Sequence, residues 1–233
     1  MTTLPTPHNL PPDLMVEKKK PLWSRYVHGH HWRSQTEEFD GLKLGFWLFL
    51  TTEVLLFAGI FCAYCLFRAM YPGAWAEGSG SLNWQWGALN TIVLLLSSYT
   101  MAAAIYCFQT DQQRRGRMNL LITMISGAAF VAIKLVFEYY PKWTMGKRPG
   151  SLFDYPFATD PHVPLWWSVY YCGTALHALH VVIGMILIAR VYVKSLKGQY
   201  GPTYYTGVEI AGLYWHLVDL IWIFLFPLLY LIH

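Results

Sequence analysis

Five long apolar stretches constrain the fold of this 233-residue chain more than any other feature. They cover residues 42–70, 86–108, 118–140, 164–193 and 205–232. Each is longer than the roughly 20 residues that an α-helix needs to cross about 30 Å of hydrocarbon. Because lipid cannot hydrogen-bond open backbone groups, and because the alternation of a transmembrane β-strand is absent, each stretch predicts a transmembrane helix.

The composition of the chain agrees with a membrane location. Charged residues make up only 13% and the mean hydropathy is +0.32, whereas soluble domains carry about 25% charged residues. This excludes a soluble enzyme, a disordered chain and a nucleic-acid-binding module, and a net charge of +4 is too small and dispersed to indicate nucleic acid. The sequence predicts an all-α, polytopic membrane protein. A polar tail (1–40) with an interfacial segment (23–32) precedes a five-helix transmembrane domain (41–233).

The distribution of basic residues predicts the orientation of the helices. Twelve of the 17 Lys and Arg residues lie before or at the start of the first stretch, between the second and third, or between the fourth and fifth. Four lie on the opposite side, and Lys134 lies inside the third stretch. Because cytoplasmic loops are enriched in Lys and Arg, the N-terminus is expected in the cytoplasm and the C-terminus outside.

Ionisable residues inside the stretches are the candidate functional groups. A charged side chain at the bilayer centre costs roughly 2.5–3.5 kcal/mol on insertion scales, so such residues usually face the bundle interior. Glu53 has no basic residue within two turns of its own helix. Two interpretations stay open: a proton-responsive or lipid-contacting carboxyl, or a neutral carboxyl that hydrogen-bonds a neighbouring helix. Lys134 and Glu138 are spaced i, i+4, which predicts an intrahelical ion pair near the outer interface.

Histidines in the last two stretches form a second group. His177 and His180 are spaced i, i+3, and His216 and Asp219 repeat that spacing, with Glu209 two turns before His216. We expect the fourth and fifth helices to pack through His and Asp contacts. Three histidines with a carboxylate could bind zinc or iron, but interhelical hydrogen bonding or contact with lipid headgroups is favoured. The sequence therefore predicts no catalytic, cofactor-binding or metal-binding residue.

Five motifs in order along the chain resemble subunit III of heme-copper cytochrome oxidases. The first contains Glu53, the third Glu138, and the last both His216 and Trp222. They read KLGFWLFLTTEVLLFAG (43–59), LNTIVLLLSS (89–98), FEYY (137–140), LHALHVVIG (176–184) and YWHLVDLIWIF (214–224). The long form of this family has seven helices, and the chain resembles the five-helix bacterial form, which lacks the first two.

The resemblance implies an accessory subunit in a bacterial cytoplasmic membrane that carries no redox cofactor itself. Heme and copper are expected in partner subunits. The implied partners are oxidase subunit I, subunit II, a small subunit IV and phospholipids. The implied role is to stabilise the redox subunit, retain lipids and support proton uptake while oxygen is reduced to water. Eight residues are predicted to make intramembrane polar, lipid or subunit contacts: Glu53, Glu138, His177, His180, Glu209, His216, Asp219 and Trp222.

Other functions are compatible with the same residues. Quinol oxidases and nitric oxide reductases have similar accessory subunits, and the electron donor is decided in other chains. A different class is an independent proton channel or transporter that uses Glu53, the histidines and Asp219 as a relay. Against a transporter stands the absence of broken helices and of internal repeats.

Overall fold

The computed structural model describes residues 22–26, 29–30 and 32–231. Within these residues, five helices are long and apolar enough to cross a membrane. They are α1 (Gln35–Met70), α3 (Trp84–Gln109), α4 (Gln113–Thr144), α5 (Val163–Leu196) and α6 (Thr206–Tyr230), and a short helix, α2 (Pro72–Gly80), follows α1. The predicted all-helical, five-span membrane fold is confirmed.

Helix α1 begins before its apolar stretch because its first turn is capped. The Ser34 side chain accepts a hydrogen bond from the Glu37 amide at 3.1 Å, and Glu37 and Glu38 lie in the first turn. A capping serine satisfies an amide that the helix leaves open, and acidic residues stabilise the positive end of the helix dipole. The polar residues 35–41 are therefore helical for local reasons that hydropathy does not reveal.

Helix α4 contains a π-helical segment, Lys134–Tyr139, between two α-helical parts. Such segments are rare and are frequently found at functional sites. Lys134 and Glu138 both lie in it and are buried. The hydropathy pattern does not predict this change in helix type.

The packing of the bundle places α5 and α6 at its centre. Helices α3 and α4 form an antiparallel hairpin, α5 packs on α4 and α6, and α6 also packs on α3. Helix α1 contacts α2, α5 and α6 but is the least enclosed of the five spans. Its attachment to the bundle therefore depends on few contacts.

Helix α2 was not predicted, because nine residues rich in glycine and alanine give no clear apolar period. It is held against the start of α5 by a close approach: a Cβ added at Gly78 would lie 2.3 Å from Trp166 Cδ2. The carboxylate of Glu77 also accepts hydrogen bonds from the amides of Thr159 and Asp160, each at 3.2 Å. These contacts fix the segment between α4 and α5 to α2.

The predicted polar tail lies mostly outside the described residues. In the part that is described, the Trp23 amide donates to the Gly198 carbonyl at 3.3 Å. The Tyr26 ring stacks on Tyr204 with centroids 3.8 Å apart. The described start of the interfacial segment, at Trp23 and Tyr26, therefore packs against the connection between α5 and α6.

Candidate functional site: an intramembrane polar network

Glu138 is the centre of a buried cluster at one end of the bundle. It forms an ion pair with Lys134, and both side chains are 2% exposed. It also accepts hydrogen bonds from the hydroxyls of Tyr170 at 2.8 Å and Tyr230 at 2.5 Å, and Lys142 Nζ lies 3.8 Å from the same oxygen. The predicted Lys134–Glu138 ion pair is present, but it lies inside the bundle and joins α4 to α5 and α6.

The two lysines around Glu138 give the cluster more positive than negative charge. The Lys134 ammonium donates to the Tyr230 hydroxyl and lies 4.9 Å from the Trp222 ring centroid, while both lysines lie 5.3 Å from the Tyr170 ring. Aromatic faces attract ammonium groups, more strongly where water is excluded. The rings therefore compensate for the missing second carboxylate.

The Glu53 side chain hydrogen-bonds a histidine on a neighbouring helix. Its Oε2 lies 2.8 Å from His180 Nε2, and His180 Nδ1 lies 2.8 Å from the Leu176 carbonyl oxygen. A carbonyl only accepts, so Nδ1 carries a proton, and one further proton is shared between Nε2 and the carboxyl. The pair has no net charge wherever that proton resides. It joins α1 to α5, with the Glu53 side chain 16% exposed.

His177 does not share the environment of His180. Its ring stacks on Trp222 with centroids 5.1 Å apart and meets the Phe130 ring edge-on at 5.5 Å. Neither ring nitrogen has a hydrogen-bond partner among the described residues, although the residue is fully buried. At 3.6 residues per turn, positions three apart differ by about 60° around a helix. That divergence sends His180 towards α1 and His177 towards α4 and α6.

His216 and Asp219 lie at the seam between α6 and α3. The His216 Nδ1 lies 2.7 Å from Ser98 Oγ. Asp219 is 4% exposed, and its Oδ1 has no hydrogen-bond partner in the described part of the chain. The prediction that the last two helices pack through His–Asp contacts is therefore wrong. His180 binds Glu53 on α1 and His216 binds Ser98 on α3, whereas His177 stacks on Trp222 of α6 without a hydrogen bond.

Two further predicted residues anchor helix contacts. Trp222 Nε1 donates to Thr91 Oγ1 at 3.1 Å, which joins α6 to α3. Glu209 forms an ion pair with Lys43 at 2.6 Å near the ends of α6 and α1. Glu209 therefore does not interact with His216, and its partner comes from another helix.

Sequence reasoning missed several members of the network. Lys142 follows Glu138 by four residues, so helical spacing could have found it. Tyr170, Tyr230 and Ser98 had no such signal, because their partners lie 32, 92 and 118 residues away. Only the packing of the helices brings these groups together.

The network is built for contacts between helices. Among the described residues, no group of three or more His, Cys, Asp or Glu could hold a metal ion. Fold and site together define a polytopic membrane protein whose intramembrane carboxylates mostly bind side chains of neighbouring helices.

Comparison with known proteins gives the family. The family model for cytochrome c oxidase subunit III matches residues 21–233, and the chain belongs to this family. It is 35% identical to cytochrome c oxidase subunit 3 of Thermostichus vulcanus over 84% of this chain and 90% of that protein. It is 33% identical to the subunit of the same name from Synechocystis sp. over 88% of this chain and 80% of that protein. It is 29% identical to a probable quinol oxidase subunit 3 of Staphylococcus epidermidis over 85% of this chain and 92% of that protein.

The family membership confirms the resemblance that the five motifs carried. The chain is a subunit III of a heme-copper oxidase, and so part of a membrane-bound oxidoreductase complex.

Proposed function

We propose that this chain is the accessory subunit III of a cytochrome c oxidase and that it stabilises the heme- and copper-bearing subunit. Its contribution to oxygen reduction is structural: it holds a rigid helical surface against the redox subunit, retains phospholipids and supports proton uptake. It binds oxidase subunit I, subunit II and a small subunit IV, and heme and copper reside in those partners. It lies in a bacterial cytoplasmic membrane with its N-terminus inside and its C-terminus outside, in keeping with the charge distribution of its connections.

The observation that carries this proposal is how the intramembrane carboxylates are used. Glu138 binds two lysines and two tyrosines, Glu53 binds His180, and Glu209 binds Lys43. Each contact joins different helices or closes a buried cluster. A proton channel or transporter needs groups that exchange partners along a hydrated path, whereas Glu138, Glu53 and Glu209 each have a side-chain partner in the structure. The arrangement favours a scaffold over an independent channel.

Helix α1 illustrates the scaffold most clearly. It is attached at one end by Lys43–Glu209, in the middle by Glu53–His180, and at the other end by Tyr64, whose hydroxyl donates to the Leu228 carbonyl. Three polar contacts spaced along one helix fix its register against the bundle.

A quinol oxidase is the second candidate. The Staphylococcus epidermidis relative, a probable quinol oxidase subunit 3, is about as similar to this chain as several cytochrome c oxidase subunits. We infer that in either case the electron donor is selected by another subunit. Turnover of the purified complex with reduced cytochrome c, compared with turnover with a quinol, distinguishes the two.

Purification through a C-terminal tag in mild detergent tests the proposal. We expect a larger chain with heme absorption bands and bound copper to accompany this one, identified by an optical spectrum and by mass spectrometry. A colourless chain that is stable alone as a small oligomer contradicts it. The carboxylates and histidines would then be tested as a transport path in proteoliposomes.

A further inference from the structure

His216 has an unused hydrogen-bonding atom near the centre of the membrane. Helix α6 runs from Thr206 to Tyr230, so His216 lies two residues from its midpoint, about 3 Å along the axis. Nδ1 is bound to Ser98, but Nε2 has no hydrogen-bond partner among the residues that the structure describes. The ring is only half-buried. A partly exposed imidazole at this depth needs a partner that hydrocarbon does not supply.

The surface around His216 is an open strip on α6. Helices α1 and α3 each pack against α6 but not against one another, so the outward face of α6 lies uncovered between them. Leu220, Ile223 and Phe224 on this face are 49%, 41% and 55% exposed.

A cavity adjoins the strip on the side of α1. It has a volume of about 270 Å³ and an almost entirely apolar lining that includes Leu220, Phe224, Val54 and Phe57. A cavity of this size accommodates a large apolar side chain from a helix laid along the strip. Polar and apolar features therefore lie side by side, as in an interface between membrane helices.

We propose that this strip docks a transmembrane helix of the heme-bearing subunit, which places a hydrogen-bonding side chain on His216 Nε2 and an apolar side chain in the adjacent cavity. The inference rests on the proposed function and adds to it the surface that makes the contact.

Two other occupants fit the strip less well. Lipid headgroups do not reach the bilayer centre, and acyl chains carry no hydrogen-bonding group. A second copy of this chain packed strip against strip, about a two-fold axis along the membrane normal, would bring the two His216 rings to the same depth, facing each other in the same tautomer. With Nδ1 engaged by Ser98 in each copy, the two Nε2 atoms would be two donors or two acceptors. A different chain can present the complementary group.

Photo-crosslinking in the intact complex tests the surface. A photoreactive amino acid replaces Ile223 on the strip or, as the matched control, Ile125 on α4, which is 60% exposed and lies outside the strip. We expect the probe at position 223 to crosslink to the heme-bearing chain, identified by mass spectrometry, and the probe at position 125 to label lipid. Labelling of lipid alone at 223, crosslinking to a second copy, or equal crosslinking at both positions would overturn the proposal.

Two substitutions isolate the free nitrogen. His216→Asn keeps an amide near the position of Nδ1 but has nothing at Nε2, whereas His216→Gln reaches the Nε2 position. The loss of one interhelical hydrogen bond in His216→Asn is expected to shorten the time for which the heme-bearing chain stays bound roughly three- to twenty-fold. His216→Gln should stay within about threefold of the unsubstituted complex. Equal retention in all three forms would contradict the role of Nε2.

These experiments separate a failure of the proposed function from a failure of the docking surface. If no heme-bearing chain accompanies the unsubstituted protein, the proposed function itself fails. If that chain is present but the probe at position 223 labels only lipid, the function stands and the assignment of the docking strip fails.

Discussion

Replacement of Glu138 by glutamine tests whether the buried cluster holds three helices together. Glutamine keeps the shape of the side chain but removes its charge, so Lys134 and Lys142 lose their common anion. The hydroxyls of Tyr170 and Tyr230 also lose a charged acceptor. Both lysines are then buried without a counter-ion.

The expected destabilisation is large. Removal of one partner from a buried ion pair costs about 3–5 kcal/mol, because an uncompensated charge stays in the interior. For a chain of this length each kcal/mol lowers the melting temperature by about 2–4 °C, which gives a decrease of roughly 6–20 °C. By contrast, Glu209→Gln breaks a partly exposed pair with Lys43, which is worth about 0–1 kcal/mol.

Alkylation of Cys107 during heating of the purified complex measures these effects. Cys107 is 8% exposed, so its thiol becomes reactive when the bundle opens, and peptide mass spectrometry quantifies the product. A decrease for Glu138→Gln no larger than that for Glu209→Gln would refute the reasoning. If Glu138→Gln does not assemble, the double variant with Lys134→Met should recover part of the yield, since an apolar side chain tolerates burial better than an unpaired ammonium.

Four further predictions concern other parts of the chain. Gly78→Ala places a Cβ 2.3 Å from an indole ring and should lower the stability by about 1–3 kcal/mol. The control Gly80→Ala meets nothing within 4 Å and should change the stability by less than 1 kcal/mol. Thermal unfolding measures both effects. A membrane-impermeant acylating reagent should label Lys147 but not Lys197 in intact cells. The reverse pattern would show that the helices have the opposite orientation. Because burial lowers the pKa of Lys147, its labelling should be half-maximal below the ordinary lysine value of about 10.4. Glu53, which shares one proton with its partner, should react with a hydrophobic carbodiimide in intact membranes; labelling at other carboxyls without Glu53 would show that it holds its charge.

The sequence predicts well where a property depends on neighbouring residues. Apolar length alone specified five helices, because lipid leaves the backbone no other way to hydrogen-bond. The Lys134–Glu138 pair followed from helical spacing, since residues four apart lie on one face of a helix. The start of α1 at Gln35 was missed, although its capping serine and acidic first turn are visible in the sequence.

Tertiary structure decided which groups meet across the bundle. Glu53 binds a histidine 127 residues away, and His216 binds a serine 118 residues away. No local pattern predicts such pairs, because they depend on the rotation and depth of each helix against its neighbours. The π-helical segment, Lys134–Tyr139, lies at the cluster that joins α4 to two other helices. The sequence by itself therefore determined the membrane-spanning elements and the charges that they contain. Packing determined the partners of those charges and left His216 Nε2 facing an open strip.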